Sequence, residues 1–472
     1  MNGGRRRARA RQERAFALRS PSSTPQSGVQ TKTRRRAAFG LLLVVTLLPG
    51  RTAADDSIAI VGGTVHTLSG PPVENGTVIV RGETIAAVGG EVEVPAGARI
   101  LDASGLVVVP GFFDAMSTIG LSEISSLSAT QDTVELGAFN PHLLALEAVH
   151  PASEHIPVAR ANGVTHAGTS PAGSGYGIPG RASAIHLDGW TVEDMAIARD
   201  VGVVVTWPDL VTRRFDRATA RFADRPFTEA KKEYDERVGE IRAWIDAARR
   251  YALAREAGAR EAKGAPHAPP DLRLAGLADV VAGRLPLLVR AGDPRQIRDA
   301  VAFAGEESLR MILVGGRESS RVADLLAENE IPVILGPPQA LPAREDDAYD
   351  SPYALASALR SAGVEFAIST FGASASFSLP YEAAQAVAFG LPWEDGLKAI
   401  TTWPAQILGV ADRLGTIEPG KIANLIVTDG DPLEIRTRVV HVLVRGQVVE
   451  LETKHTRSYE RWRSRPLPAK TE

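Results

Sequence analysis

The sequence predicts a protein of the α/β class, and three observations support this prediction. Apolar strand-like runs alternate with helix-like segments through the middle of the chain, as expected for repeated βα units. Short strands punctuated by glycine occur near both ends, in residues 58–89 and 417–449, which is typical of a small β-rich unit. The chain has 472 residues, which is enough for a barrel of typical size plus a satellite domain.

The first 54 residues are predicted to form a secretory leader that is separate from the fold. Residues 1–36 carry eleven arginines and lysines against one glutamate, and the apolar run Ala37–Leu48 and then Thr52-Ala53-Ala54 follow them. This basic, apolar and small-residue order is typical of a signal peptide. A short membrane anchor is the alternative, although a run of this length is too short to span a bilayer. We therefore predict a secreted or periplasmic protein with no stable membrane span after signal removal.

Composition excludes several kinds of site and partner. The chain has no cysteine, which excludes disulfides, thiolate zinc sites, a cysteine nucleophile and a lipoprotein anchor. The formal net charge is −3, and the segment before Ala37 contributes +10, so the remainder is near −13. An acidic protein of this kind is a poor candidate for binding the phosphate backbone of nucleic acids.

Four regions follow the leader. Residues 55–109 and 413–455 are predicted to form the two parts of one small β unit, and residues 456–472 are a tail. Residues 110–412 contain the alternating segments, among them a long charged stretch at 228–262 whose apolar spacing predicts an amphipathic covering helix. A lid or a dimer contact is the alternative for this helix. Its apolar positions are Tyr234, Val238, Ile241, Ile245 and Ala248.

Residues 110–120 read PGFFDAMSTIG, and this segment resembles the signature that opens the barrel of amidohydrolase-superfamily enzymes. The stretch Glu418–Leu425, with Asp429-Gly430-Asp431-Pro432 after it, resembles the C-terminal β unit of the same proteins. The resemblance covers Ile58–Glu450 and is strongest for a secreted bacterial subgroup, while residues 390–405 are similar to imidazolonepropionase-like members. It implies a (β/α)8 TIM-like barrel with a small β-sandwich domain built from both chain ends.

The family hydrolyses non-peptide carbon–nitrogen bonds with a divalent metal, and its metal ligands occupy recognisable positions. The opening signature of the family ends in Asp-x-His-x-His, and here Met116 and Thr118 stand at the two histidine positions. Residues two apart on a strand point to the same side, so the side chains of Met116 and Thr118 are expected to face the position that the metal occupies in the family. In the segment that resembles strand five, Leu285–Asp293, Arg290 and Gly292 stand at the histidine positions.

The later ligand positions follow the same trend. In the segment that resembles strand six, Leu309–Gly316, Gly315 takes the histidine position, and in Val364–Phe371, which resembles strand eight, Thr370 stands where an aspartate is expected. Thioether and hydroxyl groups are poor ligands for a hydrolytic zinc ion, and a guanidinium repels a dication. We therefore expect no metal site and no cofactor.

Four residues are candidates for ligand binding, namely Glu123, His142, Arg181 and Arg290. The two arginines together could clamp a carboxylate or a phosphate, since guanidinium groups bind these anions through paired hydrogen bonds. Ordinary ion pairs with aspartate or glutamate are the alternative.

The sequence thus predicts an amidohydrolase-family protein that has lost its metal site and acts as a periplasmic ligand-binding pseudoenzyme. Two alternatives remain open. One is an active hydrolase with a non-standard site, and the other is a structural partner of an active paralogue. The predicted partners are a small polar or anionic ligand and another amidohydrolase chain, in a homo- or hetero-oligomer.

Overall fold

The structure is a computed structural model that describes residues 57–173, 175–216, 220–259 and 269–466. The predicted leader lies outside these residues. The strands of the described part are β1 (Ser57–Val65), β2 (Val73–Arg81), β3 (Thr84–Gly89), β4 (Arg99–Asp102), β5 (Val107–Pro110), β6 (Phe112–Ser117), β7 (Val164–Thr169), β8 (Gly177–His186), β9 (Ala196–Thr206), β10 (Arg213–Asp216), β11 (Arg221–Asp224), β12 (Leu287–Ala291), β13 (Met311–Gly315), β14 (Val333–Leu335), β15 (Phe366–Ile368), β16 (Leu425–Thr428), β17 (Val439–Val444) and β18 (Gln447–Val448). The helices are α1 (His155–Arg160), α2 (Val192–Met195), α3 (Phe227–Ala259), α4 (Leu272–Val281), α5 (Pro294–Glu306), α6 (Ala323–Glu328), α7 (Ser351–Ser361), α8 (Leu379–Ala388), α9 (Trp393–Lys398), α10 (Thr402–Ile407) and α11 (Lys454–Arg463).

Both ends of the described chain contribute to one small β domain, as the sequence predicts. Its strands follow the order β18-β17-β16-β5-β1-β2-β3, and β4 pairs with β1. The two halves join where β16 runs antiparallel to β5. Alternate side chains of both halves, among them Ile60, Val80, Val108 and Leu425, pack into one apolar core.

The second large sheet is a nearly closed barrel of eight strands. Its strands follow the order β6-β7-β8-β9-β12-β13-β14-β15, so β12, β13 and β15 are the fifth, sixth and eighth strands, as predicted. The barrel closes at its seam through hydrogen bonds from Phe371 N to Met116 O (3.0 Å) and from Phe113 N to Ile400 O (2.7 Å). Gly111 leads into the first strand, where a side chain would collide with Thr165 of β7.

The third barrel strand departs from a regular βα repeat. β8 pairs antiparallel with both β7 and β9, whereas the other neighbouring strands of the barrel pair in parallel. A parallel connection needs a crossover of about a dozen residues or more, and the loop between β7 and β8 is shorter than that. The chain therefore turns back directly.

The long helix α3 covers the outside of the barrel, as its apolar spacing predicts. Ile241, Ile245 and Ala248 are fully buried and Tyr234 nearly so, and all four belong to the main apolar core. Its charged face contacts α5, because Arg242 and Arg249 both form ion pairs with Glu307 directly after that helix. Among the described residues, no helix combines the length and the apolar character needed to cross a membrane.

Candidate functional site

A cavity of about 630 Å³ lies at the carboxyl ends of the barrel strands. The ends of β6, β9, β12, β13 and β14 line it, together with the segments that follow them. Barrel enzymes place their sites at this face, because the loops that follow the strands converge there.

Four of the five predicted degenerate ligand positions meet at this cavity. Met116, Thr118, Arg290 and Gly315 all line it, and Gly292 does so as well. The fifth position, Thr370, lies behind the cavity wall, where it is buried and bonded to Asp114. The motif spacing therefore identifies one connected region of the barrel mouth.

These residues do not fit a divalent metal. Thr118 Oγ1 already accepts a hydrogen bond from Ala373 N (3.1 Å), Met116 offers only a thioether, and Gly292 and Gly315 offer no side chain. Within the described ranges, no three histidine, aspartate or glutamate side chains lie close enough together to hold a metal ion. The donor set at the mouth thus differs in kind from a zinc site.

The aspartate of the opening signature is fully buried and surrounded by donors. Asp114 Oδ1 lies 2.5 Å from Ser369 Oγ and accepts from Thr370 N (3.0 Å), while Oδ2 lies 2.5 Å from Thr370 Oγ1 and 2.9 Å from Ser376 Oγ. Burial raises the pKa of Asp114, and these hydrogen bonds oppose the rise. The carboxyl group thus ties β6 to the segment after β15 and has no face toward the cavity for a further ligand.

Arg290 is a partly buried cation that faces the cavity without a carboxylate partner in the described part of the chain. Its Nη1 donates to Ala172 O (2.5 Å) and its Nη2 to Ser170 Oγ (2.9 Å), both of which are uncharged acceptors. Burial lowers the pKa of Arg290 to about 10, so the guanidinium remains protonated at neutral pH. The positive charge at the fifth strand is therefore not neutralised by a neighbouring side chain.

Two further charged residues line the cavity. Arg317 is exposed over Gly292, and Asp209 accepts a hydrogen bond from Gln296 Nε2 (2.5 Å). Together with Arg290, the lining carries two positive charges and one negative charge, which favours an anion.

Thr206 is a site residue that sequence reasoning did not identify. It ends β9, lines the cavity, and stands beside Arg290 in the parallel register of β9 and β12. Its Oγ1 is buried and has no hydrogen-bond partner in the described structure. Its position at the end of a barrel strand was the available signal, but the strand carries no motif that distinguishes this threonine.

The prediction that Arg181 and Arg290 form one clamp is wrong. Arg181 pairs with Asp200 (2.6 Å) and donates to His142 O (3.3 Å), and it lines a separate cavity of about 550 Å³. Side chains alternate along a strand, and Ala182 of β8 packs inside the barrel, so Arg181 faces outward. His142 lines this outer cavity too.

Glu123 lies in the loop after β6, away from Arg290. Its carbonyl oxygen is 2.8 Å from His155 Nε2, and its side-chain Oε1 is buried without a hydrogen-bond partner. The structure therefore brings together four of the five predicted degenerate ligand positions, with Arg290 among them, while Glu123, His142 and Arg181 lie elsewhere.

Comparisons with known proteins agree with this architecture. Residues 389–450 match the model of the amidohydrolase family. The amidohydrolase tasK of Hapsidospora irregularis is 26% identical over 386 residues, which are 75% of this chain and 37% of that protein, so the chain spans little more than a third of this curated relative.

Solved structures show the same fold. An amidohydrolase from Thermotoga maritima MSB8 superposes with a TM-score of 0.71 at 26% identity, over 83% of this chain and 99% of that one. A prolidase complexed with N-methylphosphonate-L-proline gives a TM-score of 0.51 at 20% identity, over 84% and 99% of the two chains, and supports the fold alone. The barrel, the β domain from both chain ends and these matches together support a relationship of the chain to the amidohydrolase superfamily.

Proposed function

We propose that this protein binds a small anionic ligand at the barrel mouth and does not activate water with a metal. The observation that carries the proposal is Arg290, a partly buried cation that lines a cavity of about 630 Å³ and has no carboxylate partner in the described chain. A charge that is partly removed from water is stabilised by an opposite charge beside it, so an anionic ligand would stabilise this arrangement.

The same cation argues against metal-assisted hydrolysis. Two like charges a few ångströms apart repel each other strongly in a poorly solvated site. A dication at the former ligand positions would lie close to Arg290, while Met116, Thr118 and Gly315 supply no compensating negative charge. Hydrolysis by this superfamily depends on a metal that lowers the pKa of bound water, and these residues supply no equivalent.

The proposal includes a periplasmic location, which the basic and apolar leader at residues 1–54 supports. Periplasmic fractionation of cells that express the full chain tests it. Recovery of a shortened protein in the periplasm is the expected result, and an intact chain confined to the cytoplasm would contradict this part of the proposal.

A thermal-shift screen tests the binding function. Inorganic phosphate, acetate and short carboxylates are added to the purified protein and to Arg290→Gln. The control is Arg199→Gln, which removes an arginine that pairs with Glu147 beside the outer cavity. We expect at least one anion to raise the Tm of the wild type and of the control by a few degrees, and to leave Arg290→Gln unchanged. Equal responses of wild type and Arg290→Gln, or none in wild type, would overturn the proposal.

A further inference from the structure

We infer that helix α11 and the loop between β8 and α2 form a surface that docks on an anionic lipid membrane. We call this surface the aromatic patch, and it consists of Trp190, Tyr459 and Trp462 with the basic residues of segment 454–466. The patch shares no residue with the cavity at the barrel mouth, so membrane docking is independent of the proposed anion binding.

Helix α11 is open to solvent over its whole length in the described structure. None of its ten residues is buried, and an ion pair between Arg457 and Glu154 (3.4 Å) connects it to the body of the protein. Helices of about ten residues are marginal in water by themselves and normally gain stability when one face packs against a surface. The described chain leaves every face of α11 largely open, so a partner surface would stabilise the helix.

The aromatic side chains of α11 lie on one face. Tyr459 and Trp462 are three positions apart, which makes them neighbours on a helix, and they are 62% and 61% exposed. The guanidinium carbon of Arg463 lies 5.6 Å from the centre of the Tyr459 ring, and that of Arg461 lies 5.7 Å from the centre of the Trp462 ring. Exposed aromatic rings flanked by cations are typical of helices that lie flat in a membrane interface.

Trp190 extends this surface from a second element. It is 93% exposed in the loop between β8 and α2, and the preceding Gly189 lines a cleft of about 230 Å³ together with Arg457 of α11. All six tryptophans of the chain lie in the described residues, and the four apart from Trp190 and Trp462 are buried or half-buried. Both exposed tryptophans thus lie beside the same cleft, whereas exposed apolar residues without a role are normally scattered.

The charge of the patch identifies the kind of partner. Segment 454–466 carries five basic residues and one acidic residue, and Lys454, Arg461 and Arg465 have no acidic partner among the described residues. Anionic headgroups attract such a cluster, while tryptophan and tyrosine rings favour the boundary between headgroups and acyl chains. The body of the protein is acidic, but charges beyond about 8 Å are largely screened at physiological ionic strength, so the local cluster determines the attraction.

Two other occupants fit the patch less well. A helix of ten residues is about 15 Å long and 10–12 Å wide, which gives a footprint of roughly 200 Å², against about 800 Å² per partner in a stable protein interface. A second copy of this chain would therefore need further contacts. A protein that binds nucleic acid firmly makes about 6–10 phosphate contacts, which is more than the unpaired cations of the patch supply.

Quenching of tryptophan fluorescence by brominated lipid tests the inference. The full chain is mixed with vesicles of brominated phosphatidylcholine, either alone or with an equal part of phosphatidylglycerol. Residues 1–54 contain no tryptophan, so lipid binding by the predicted leader does not itself cause quenching. We expect strong quenching by the anionic vesicles and little by the neutral ones. Half-maximal quenching should require about tenfold more lipid in roughly 0.5 M salt, because salt screens the attraction.

A pair of aromatic substitutions identifies the rings that enter the lipid. Trp190→Phe combined with Trp462→Phe removes both exposed indoles, and the quenched fraction of the fluorescence should fall to a small remainder. Trp244→Phe, at a half-buried position of α3, is the control and should retain the quenching. Equal quenched fractions in the double variant and the wild type would overturn the assignment of these two tryptophans.

A pair of charge substitutions tests the attraction. Arg461→Gln combined with Arg465→Gln should raise the lipid concentration for half-maximal quenching by about tenfold. Arg250→Gln combined with Arg255→Gln removes the same charge from exposed positions of α3 and should leave the titration unchanged. Identical titrations of the two double variants would overturn the role of the arginines.

Three results would overturn membrane docking as a whole. One is absence of quenching by both kinds of vesicle, or equal quenching by both. Another is a dimer in sedimentation equilibrium without lipid that the substitutions at Arg461 and Arg465 dissociate, since this would assign the patch to a second copy. The third is displacement of the vesicles by duplex DNA at an equal phosphate concentration. Each leaves the anion-dependent Tm shift and its dependence on Arg290 unaffected.

Discussion

Asp114, the aspartate of the opening signature, has a structural role in the described part of the chain. Its carboxyl group gathers donors from Ser369, Thr370 and Ser376, and so fastens the first barrel strand to the segment after the eighth. If the carboxylate were removed, these buried donors would have no acceptor, and an unsatisfied buried donor destabilises a fold.

Replacement of the Asp114 carboxylate should therefore destabilise the fold strongly. We expect Asp114→Ala to lower the free energy of unfolding by about 3 kcal/mol, because it leaves several buried donors without a partner. Urea denaturation followed by circular dichroism measures the change. Asp102→Ala, at an exposed strand end, serves as the control and should change little. A loss below about 1 kcal/mol for Asp114→Ala would contradict the role assigned to this network.

Sequence reasoning was most effective where a residue stood in a motif. The spacing of the opening signature and of the fifth and sixth strands identified Met116, Thr118, Arg290 and Gly315, which share one cavity. It missed Thr206, because an unpartnered hydroxyl group is a property of the packed structure. The valine-rich sequence of β9 contains no motif that identifies this threonine.

At the scale of elements, two buried histidines connect the barrel to the β domain. His166 of β7 and His186 of β8 lie opposite each other in the antiparallel register, and Asn424 beside β16 reaches the Nδ1 atoms of both, at 3.3 and 3.1 Å. Burial first, and then the charges of Arg445 and Arg413, lower the pKa of His186 to about 3. Burial, and then the charge of His186, lower the pKa of His166 well below its usual value.

This junction predicts a loss of stability in acid. Both imidazoles stay neutral in the fold, whereas the unfolded chain binds protons below about pH 6.5, so the free energy of unfolding falls as the pH drops from about 6.5 toward 3. His186 alone should contribute a loss of about 2 kcal/mol at pH 5. His186→Asn, which keeps an acceptor near Asn424, should lose less between pH 7 and pH 5 than the wild type.

Urea unfolding at several pH values measures this difference. His455→Asn, at an exposed position of α11, is the control and should follow the wild type. Parallel pH profiles for His186→Asn and the wild type would show that the junction does not cause the acid sensitivity.

The covering helix α3 allows a separate test of packing. Ile245 is fully buried against the barrel, and we expect Ile245→Ala to cost about 3 kcal/mol through lost burial and the resulting cavity. Leu253 lies on the same helix and is 67% exposed, so Leu253→Ala should cost less than about 0.5 kcal/mol. Denaturation midpoints of the two variants provide the comparison. Equal costs would mean that α3 does not pack as described.

At the scale of the whole molecule, the sequence predicted the barrel, the β domain shared by both chain ends and the covering helix. These features follow from apolar periodicity and chain length, and both of these properties are visible in the sequence itself. The direction of β8 was not predictable in this way, because it depends on how a short loop joins two strands in space. The error in placing Arg181 beside Arg290 has the same origin, since strand direction and alternation decide which side chains face the cavity.

The central proposal is that the mouth of this amidohydrolase-like barrel presents the cation Arg290 and does not hold a divalent metal. Elemental analysis of the protein, purified without chelators or metal affinity resins, tests it most directly. The expected result is far less than one equivalent of any divalent transition metal per chain, before and after dialysis against zinc. One tightly held zinc or other divalent ion per chain, whose removal by a chelator lowers the Tm and whose retention requires residues at the mouth, would contradict the account.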